Sequence, residues 1–209
     1  MRRWVWTLGF LVACGGEPEM FGMPDEEVCL KNRLGGDYCI DVYEASREDA
    51  DASSAGTDDD SAAVSLGGRV PWTGITWAAA KAACGRKNKR LCERDEWIDA
   101  CDGAVGEADG TMFAYGDTID KTRCNTKGAG VEAGGSNGNC KASTGTFDQS
   151  GNVWEWTGNI LADASSRGGS FRSTETHTCL SPERPAVPEI ASANGETSPE
   201  VGFRCCRDR

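Results

Sequence analysis

From Tyr38 to Glu44 apolar and polar side chains alternate, the period of a strand with one buried face. Thr76 to Cys84 changes period. Trp77, Ala80 and Cys84 share one face at i, i+3 and i+7 behind Thr76, a good N-cap, which predicts a helix. A second helix is expected from Arg94 to Cys101, because Trp97 and Cys101 are four apart and point to one side. Elsewhere the pattern fades. Residues 46–69 lose almost every large apolar group, and Asp58-Asp59-Asp60 sits among Ser, Ala and Gly. Such a run buries too little surface to offset its ordering entropy, so it is expected to be a mobile acidic loop inside the domain. Its acids lack the alternating spacing and terminal Glu of an EF-hand. Residues 103–146 and 172–200 are rich in turn formers and predict short strands at best. No internal repeat and no phosphate-cradling Gly loop is present.

The N-terminus adds an address. Met1-Arg2-Arg3 is a basic start, and Trp4 to Ala13 is apolar but too short to cross a bilayer as a helix. Leu11-Val12-Ala13-Cys14-Gly15 has the order of a bacterial lipobox, so residues 1–13 are expected to be a lipoprotein signal peptide and Cys14 the lipidated residue. The alternative is an ordinary signal peptide with a chance cysteine. Gly15 after the cysteine favours the outer membrane, with the membrane itself as partner through the anchor. Residues 14–28 then read as a tether and 29–209 as one domain.

Charge and cysteine content narrow the function classes. A net charge of −11 argues against nucleic acid as a partner, because phosphate binding needs clustered Lys and Arg. Of eleven cysteines, ten remain when Cys14 is set aside, an even number that suits a disulfide framework in an exported chain. Zinc or iron–sulfur ligation is disfavoured by a single His and by the lack of any C-x-x-C. Cys124 and Cys140 bracket one Gly-rich loop and are expected to pair. Cys29, Cys39, Cys92 and Cys206 leave three pairings open.

Three short motifs stand in one order: Gly151-Asn152-Val153-Trp154-Glu155-Trp156, then Arg167-Gly168-Gly169-Ser170-Phe171, then Gly202-Phe203-Arg204-Cys205. Tyr43-Glu44, the Thr76-Trp77 helix start and Lys89-Arg90-Leu91-Cys92-Glu93-Arg94-Asp95-Glu96-Trp97 precede them. The set resembles the formylglycine-generating enzyme (sulfatase-modifying factor) family from about Cys39 to Cys205. Cys92 and Glu93 stand where the family has Pro and a Thr cap, which should weaken that helix start. The resemblance implies a disulfide-rich α+β fold with little regular structure, distantly like C-type lectins.

The resemblance also implies site residues. Family members bind calcium in this loop, which maps to the side chains of Asp148 and Glu155 and the carbonyls of Gly151 and Val153. Hard oxygens on a Gly-Asn turn suit that cation. The alternative makes Trp154 and Trp156 core anchors and Glu155 a solvated or Arg-paired acid. The resemblance further implies the disulfides Cys84–Cys205 and Cys101–Cys179. Oxidases of the family bind Cu(I) through two cysteines after the Gly-Gly-Ser motif. Those positions are Ser173 and Thr178 here, with Cys179 one residue off. A hydroxyl does not replace a thiolate on Cu(I), and His177 reads as a lone loop histidine. Neither copper nor formylglycine-generating activity is therefore expected. The expectation is a lipoprotein of the bacterial cell envelope that binds a protein or glycan. The alternatives are an oxidase or related enzyme acting on exported proteins, and a maturation factor.

Overall fold

The computed structural model describes residues 25–104, 110–173, 177–181, 184–185 and 197–209. The signal peptide, Cys14 and most of the expected tether lie outside them. The described elements are β1 (Glu27–Lys31), β2 (Asp37–Asp41), α1 (Trp77–Gly85), β3 (Arg90–Leu91), α2 (Arg94–Asp102), β4 (Trp154–Thr157), β5 (Ser165–Arg167), β6 (Arg184–Pro185), β7 (Val201–Phe203) and β8 (Cys205–Asp208), with a 3-10 turn at Leu161–Asp163. No helix among the described residues is long and apolar enough to cross a membrane.

The strands form two small sheets, ordered β1-β2-β8-β3 and β6-β5-β4-β7. In the first, Ile40 faces Val28 on one side and Cys206 on the other, so β8 lies inside the sheet although it follows every other described element in the chain. Unlike the one-faced strand expected over Tyr38–Glu44, β2 ends at Asp41 and is buried on both faces, Cys39 and Asp41 included. Tyr38 and Ile40 join Trp97, Ile98 and Cys206 in one core, and the Tyr38 hydroxyl donates to the Glu96 carbonyl at 2.8 Å. In the second sheet β4 runs parallel to β7 and antiparallel to β5. Its Trp156 packs with Trp72, Trp77, Ala80, Ala83 and Phe203 in a second core.

Both helices sit where the periodicity put them. The Thr76 hydroxyl accepts from the Ala79 N–H at 3.2 Å, satisfying one orphan donor at the start of α1. The start of α2 is stronger than the Cys92-Glu93 substitution suggests. Glu96 accepts from the Glu93 N–H at 2.8 Å, and the Glu93 carboxylate accepts from Asn159 Nδ2 at 2.8 Å. A Glu three residues into the helix does the work expected of the missing Thr.

Five disulfides tie these parts together: Cys84–Cys205, Cys101–Cys179, Cys124–Cys140, Cys29–Cys39 and Cys92–Cys206. The first three are the pairings given above. The last two choose one of the three arrangements that the sequence left open, and register explains the choice. Cys29 stands directly across from Cys39 in the β1–β2 ladder.

Two boundaries differ from the sequence reading. The ordered sheet begins at Glu27, inside the expected tether, because the Glu26 N–H reaches the Ser65 carbonyl at 2.8 Å and seats β1. The acidic segment 46–69 is closed at its base by a Ser46–Val64 bridge, and Ala63, Val64 and Leu66 are buried. Its turns are held by polar contacts that hydrophobic periodicity does not register. Asp49 accepts from the Thr57 N–H at 2.8 Å, and Arg47 lies 4.4 Å over the Trp72 ring while bonding Asp59 at 2.6 Å.

Candidate functional site

The three motifs converge at β4 and its neighbours. Asn152 and Val153 make the turn into β4, and both of their backbone-adjacent groups reach Glu44, Asn152 Nδ2 at 2.5 Å and the Val153 N–H at 3.2 Å. Glu155 then points into the interior, fully buried. Its two oxygens take Arg204 Nε and Nη2, each at 2.6 Å, and Trp97 Nε1 adds a third bond at 2.7 Å. Arg204, also fully buried, spends its remaining donors on the carbonyls of Asp41 (3.0 Å), Val42 (3.2 Å) and Phe147 (2.8 Å). All five guanidinium donors are thus satisfied. Burial works against the charge of Arg204, but Glu155, Glu44 and Asp148 outweigh it and raise its pKa.

This arrangement decides what the expected calcium residues can do. Glu155 is the Arg-paired acid of the alternative reading. Its two oxygens are engaged by the Arg204 guanidinium and the Trp97 indole N–H. Asp148, at φ +62°, accepts from the Gly135 N–H at 2.7 Å, and burial raises its pKa to about 6. Gly151 and Val153 lie on the turn between them. Glu155 and Arg204 are described below as a structural centre. Among the described residues, one other group, Glu27, Cys29 and Cys39, brings three potential ligand atoms within 4.8 Å of each other, but its two sulfurs are bonded together.

Above this centre lies the segment that corresponds to the family's catalytic positions. Gly168 and Gly169 both have positive φ, +91° and +83°. A Cβ on Gly168 would meet the Gln149 carbonyl at 3.0 Å, and one on Gly169 would meet His177 at 2.7 Å and Ser173 Oγ at 2.9 Å. The tight turn they permit folds Ser170 to Ser173 back on itself. Ser173 Oγ accepts from the Ser170 N–H at 2.7 Å, and Ser170 Oγ donates to Glu200 at 2.6 Å. Arg172, largely exposed, reaches Glu200 at 3.5 Å. The His177 ring meets the Trp154 ring edge-on at 4.6 Å. Thr178 donates its N–H to Ser181 Oγ at 2.7 Å. Cys179 is bonded to Cys101 and buried. Glu200 escaped the sequence reading because it lies in a stretch without periodicity, where only the fold brings it to Ser170.

The rim continues into the 112–123 loop. The Cys179 N–H donates to the Met112 carbonyl at 2.8 Å, joining the two segments. Phe113 and Tyr115 stack with centroids 5.4 Å apart, and Arg123 lies 5.7 Å over Tyr115. A cavity of about 390 Å³ opens here, lined by Tyr115, Asp117, Ile119 and Arg123. Met112, Ile119 and Leu180 are each at least half exposed.

Comparison with known proteins places this geometry. The sulfatase-modifying factor enzyme 1-like domain (FGE-sulfatase) matches residues 37–209. The cattle (Bos taurus) protein named inactive C-alpha-formylglycine-generating enzyme 2 is 27% identical, over 65% of this chain and 49% of its own length. The chain thus spans about half the length of that curated relative. Among solved structures, Treponema denticola variable protein 1 superposes with a TM-score of 0.58 at 15% identity, covering 90% of this chain and 94% of the other. The major tropism determinant I1 variant gives a TM-score of 0.51 at 16% identity, covering 82% and 50%. At such identities the two structures speak for the fold alone.

Proposed function

The chain belongs to the sulfatase-modifying factor enzyme 1-like domain family, and from that premise we propose that it is an envelope-anchored binding module of the family rather than a formylglycine-generating oxidase. One observation carries the reading: the two positions that bind Cu(I) in an oxidase hold Ser173 and Thr178, and the neighbouring Cys179 is closed in a disulfide with Cys101. Soft thiolates hold Cu(I), and a neutral hydroxyl does not. The name of the cattle relative supports the same direction, since it too is called inactive. A ligand surface is offered by the rim, where Tyr115, Ile119 and Arg123 line a cavity and Met112 and Leu180 are exposed on the joined segments. Its mixture of flat aromatic, cationic and apolar groups suits a protein or glycan ligand. Five disulfides support an extracellular or periplasmic setting, and the Leu-Val-Ala-Cys box supports anchoring through Cys14.

Purified protein reconstituted with Cu(I) and given a Cys-x-Pro-x-Arg peptide is expected to leave the cysteine intact by mass spectrometry. Copper-dependent conversion of that cysteine would overturn the reading in favour of an oxidase. Intact mass of membrane-extracted protein is expected to carry a diacylglyceryl adduct on Cys14, and the mass of an unmodified full chain would remove the anchor from the proposal.

A further inference from the structure

The five disulfides differ in what surrounds them. Nine of the ten bonded cysteines, Cys39 among them, are buried; Cys29, in β1, is exposed. β1 is also the edge of its sheet, so nothing in the described structure lies beyond it in the hydrogen-bonding direction. The Cys29–Cys39 bridge joins residues that the β1–β2 ladder already holds opposite each other, through five consecutive residue pairs. The other four join segments that no shared β-ladder position brings face to face, apart from the neighbourhood of Cys92 and Cys206 beside the β3–β8 pair.

Charge around the exposed bridge is arranged as well. Arg207 of β8 stands directly across from Cys39, on the side away from Cys29. Glu27, whose carboxylate lies within 4.8 Å of both sulfurs, is bonded by Arg207 and lies 3.7 Å from Lys89. Lys89 is mostly buried and holds its proton firmly. Desolvation opposes its charge, but Asp41 and Asp25 more than compensate and raise its pKa. The bridge with one exposed cysteine thus has the Arg207–Glu27 ion pair beside it.

We infer that Cys29–Cys39 is a thiol-exchange site. An external thiolate attacks the exposed Cys29 Sγ along the S–S axis. A new S–S bond forms to Cys29, the Cys29–Cys39 bond breaks, and its electron pair leaves on Cys39 as a thiolate beside Arg207. A second external thiol, or the second sulfur of a dithiol, then attacks the mixed disulfide. The net result is two protein thiols and one oxidised external disulfide, with two electrons and two protons taken from the external thiols. The ladder keeps β1 paired throughout, so the bridge opens without unfolding and closes again when an oxidant returns.

The test uses the full folded chain, with any free thiol blocked beforehand. The protein is exposed to graded reduced glutathione, quenched with iodoacetamide and mapped by peptide mass spectrometry, with tryptophan fluorescence followed in parallel. The expected result is a glutathione adduct on Cys29, then alkylation of Cys29 and Cys39, at thiol concentrations that leave the other eight bonded cysteines unlabelled and the fluorescence unchanged. A Cys39→Ser variant is expected to hold glutathione on Cys29 as the persistent product when given glutathione disulfide. Labelling of all five bridges together with a fluorescence change, or a first adduct on any other cysteine, would overturn the proposal.

Discussion

The Glu155–Arg204 centre and the Ser170–Ser173 rim lie in adjacent turns of the same motif set, yet they are held very differently. In the centre every guanidinium donor and both carboxylate oxygens are taken, and both residues are fully buried. On the rim the turn is held by neutral bonds in a half-buried setting, such as Ser170 N–H to Ser173 Oγ. The residues that make the family recognisable therefore serve mainly to bury one charge pair under β4. The residues that decide chemistry sit above, where substitution disturbs little.

Breaking the centre should have the largest effect. Glu155→Ala leaves Arg204 charged, buried and unpaired, and is expected to cost about 3–5 kcal/mol, read as a shift in denaturant midpoint. If it costs less than 1 kcal/mol, the centre is not what holds β4 to β7. Trp97→Phe keeps the ring and removes one donor to the Glu155 carboxylate, so a loss of about 2 kcal/mol is expected by the same measurement.

A third prediction extends the comparison to a second buried acid. Burial raises the pKa of Asp41 to about 6 from the model-compound 3.8, although Lys89 at 2.6 Å pulls the other way. The native state then keeps a proton that the unfolded chain releases. The stabilisation is full below pH 3.8 and is lost as pH rises through about 6. Melting temperature should accordingly rise as pH falls from 7 toward 5, and Asp41→Asn should remove on the order of 2 kcal/mol of that effect, leaving the part that Asp148 contributes. A wild-type curve that is flat over this range would show Asp41 to be ionised throughout. The smallest effect belongs to the rim. Ser173→Ala removes one acceptor from a half-buried turn and is expected to cost about 1 kcal/mol or less. A loss as large as that of Glu155→Ala would erase the contrast between the two regions.

Much of this was legible in the chain. The alternation at Tyr38–Glu44, the Thr76 cap and the Trp97/Cys101 spacing place β2, α1 and α2, because local periodicity follows directly from which face is buried. The absence of thiols at 173 and 178 was equally plain. Less accessible was the role of Glu155. A carboxylate in a Gly-Asn turn suits calcium as well as it suits arginine, and the choice depends on Arg204, forty-nine residues away. Asp41, Lys89 and Glu200 were invisible for the same reason: each acquires its partners through contacts between distant segments. Register supplied what spacing could not in the pairing of Cys29 with Cys39.

The position of β8 inside its sheet has a consequence for the order in which the protein is made. β2 and β3 have no common neighbour until Cys205–Asp208 arrives between them, and two bridges, Cys84–Cys205 and Cys92–Cys206, wait for the same residues. A chain emerging N-terminus first thus has little to gain from folding early. The sheet and both of those bridges are therefore completed only once β8 has been made, and β8 then joins β2 to β3.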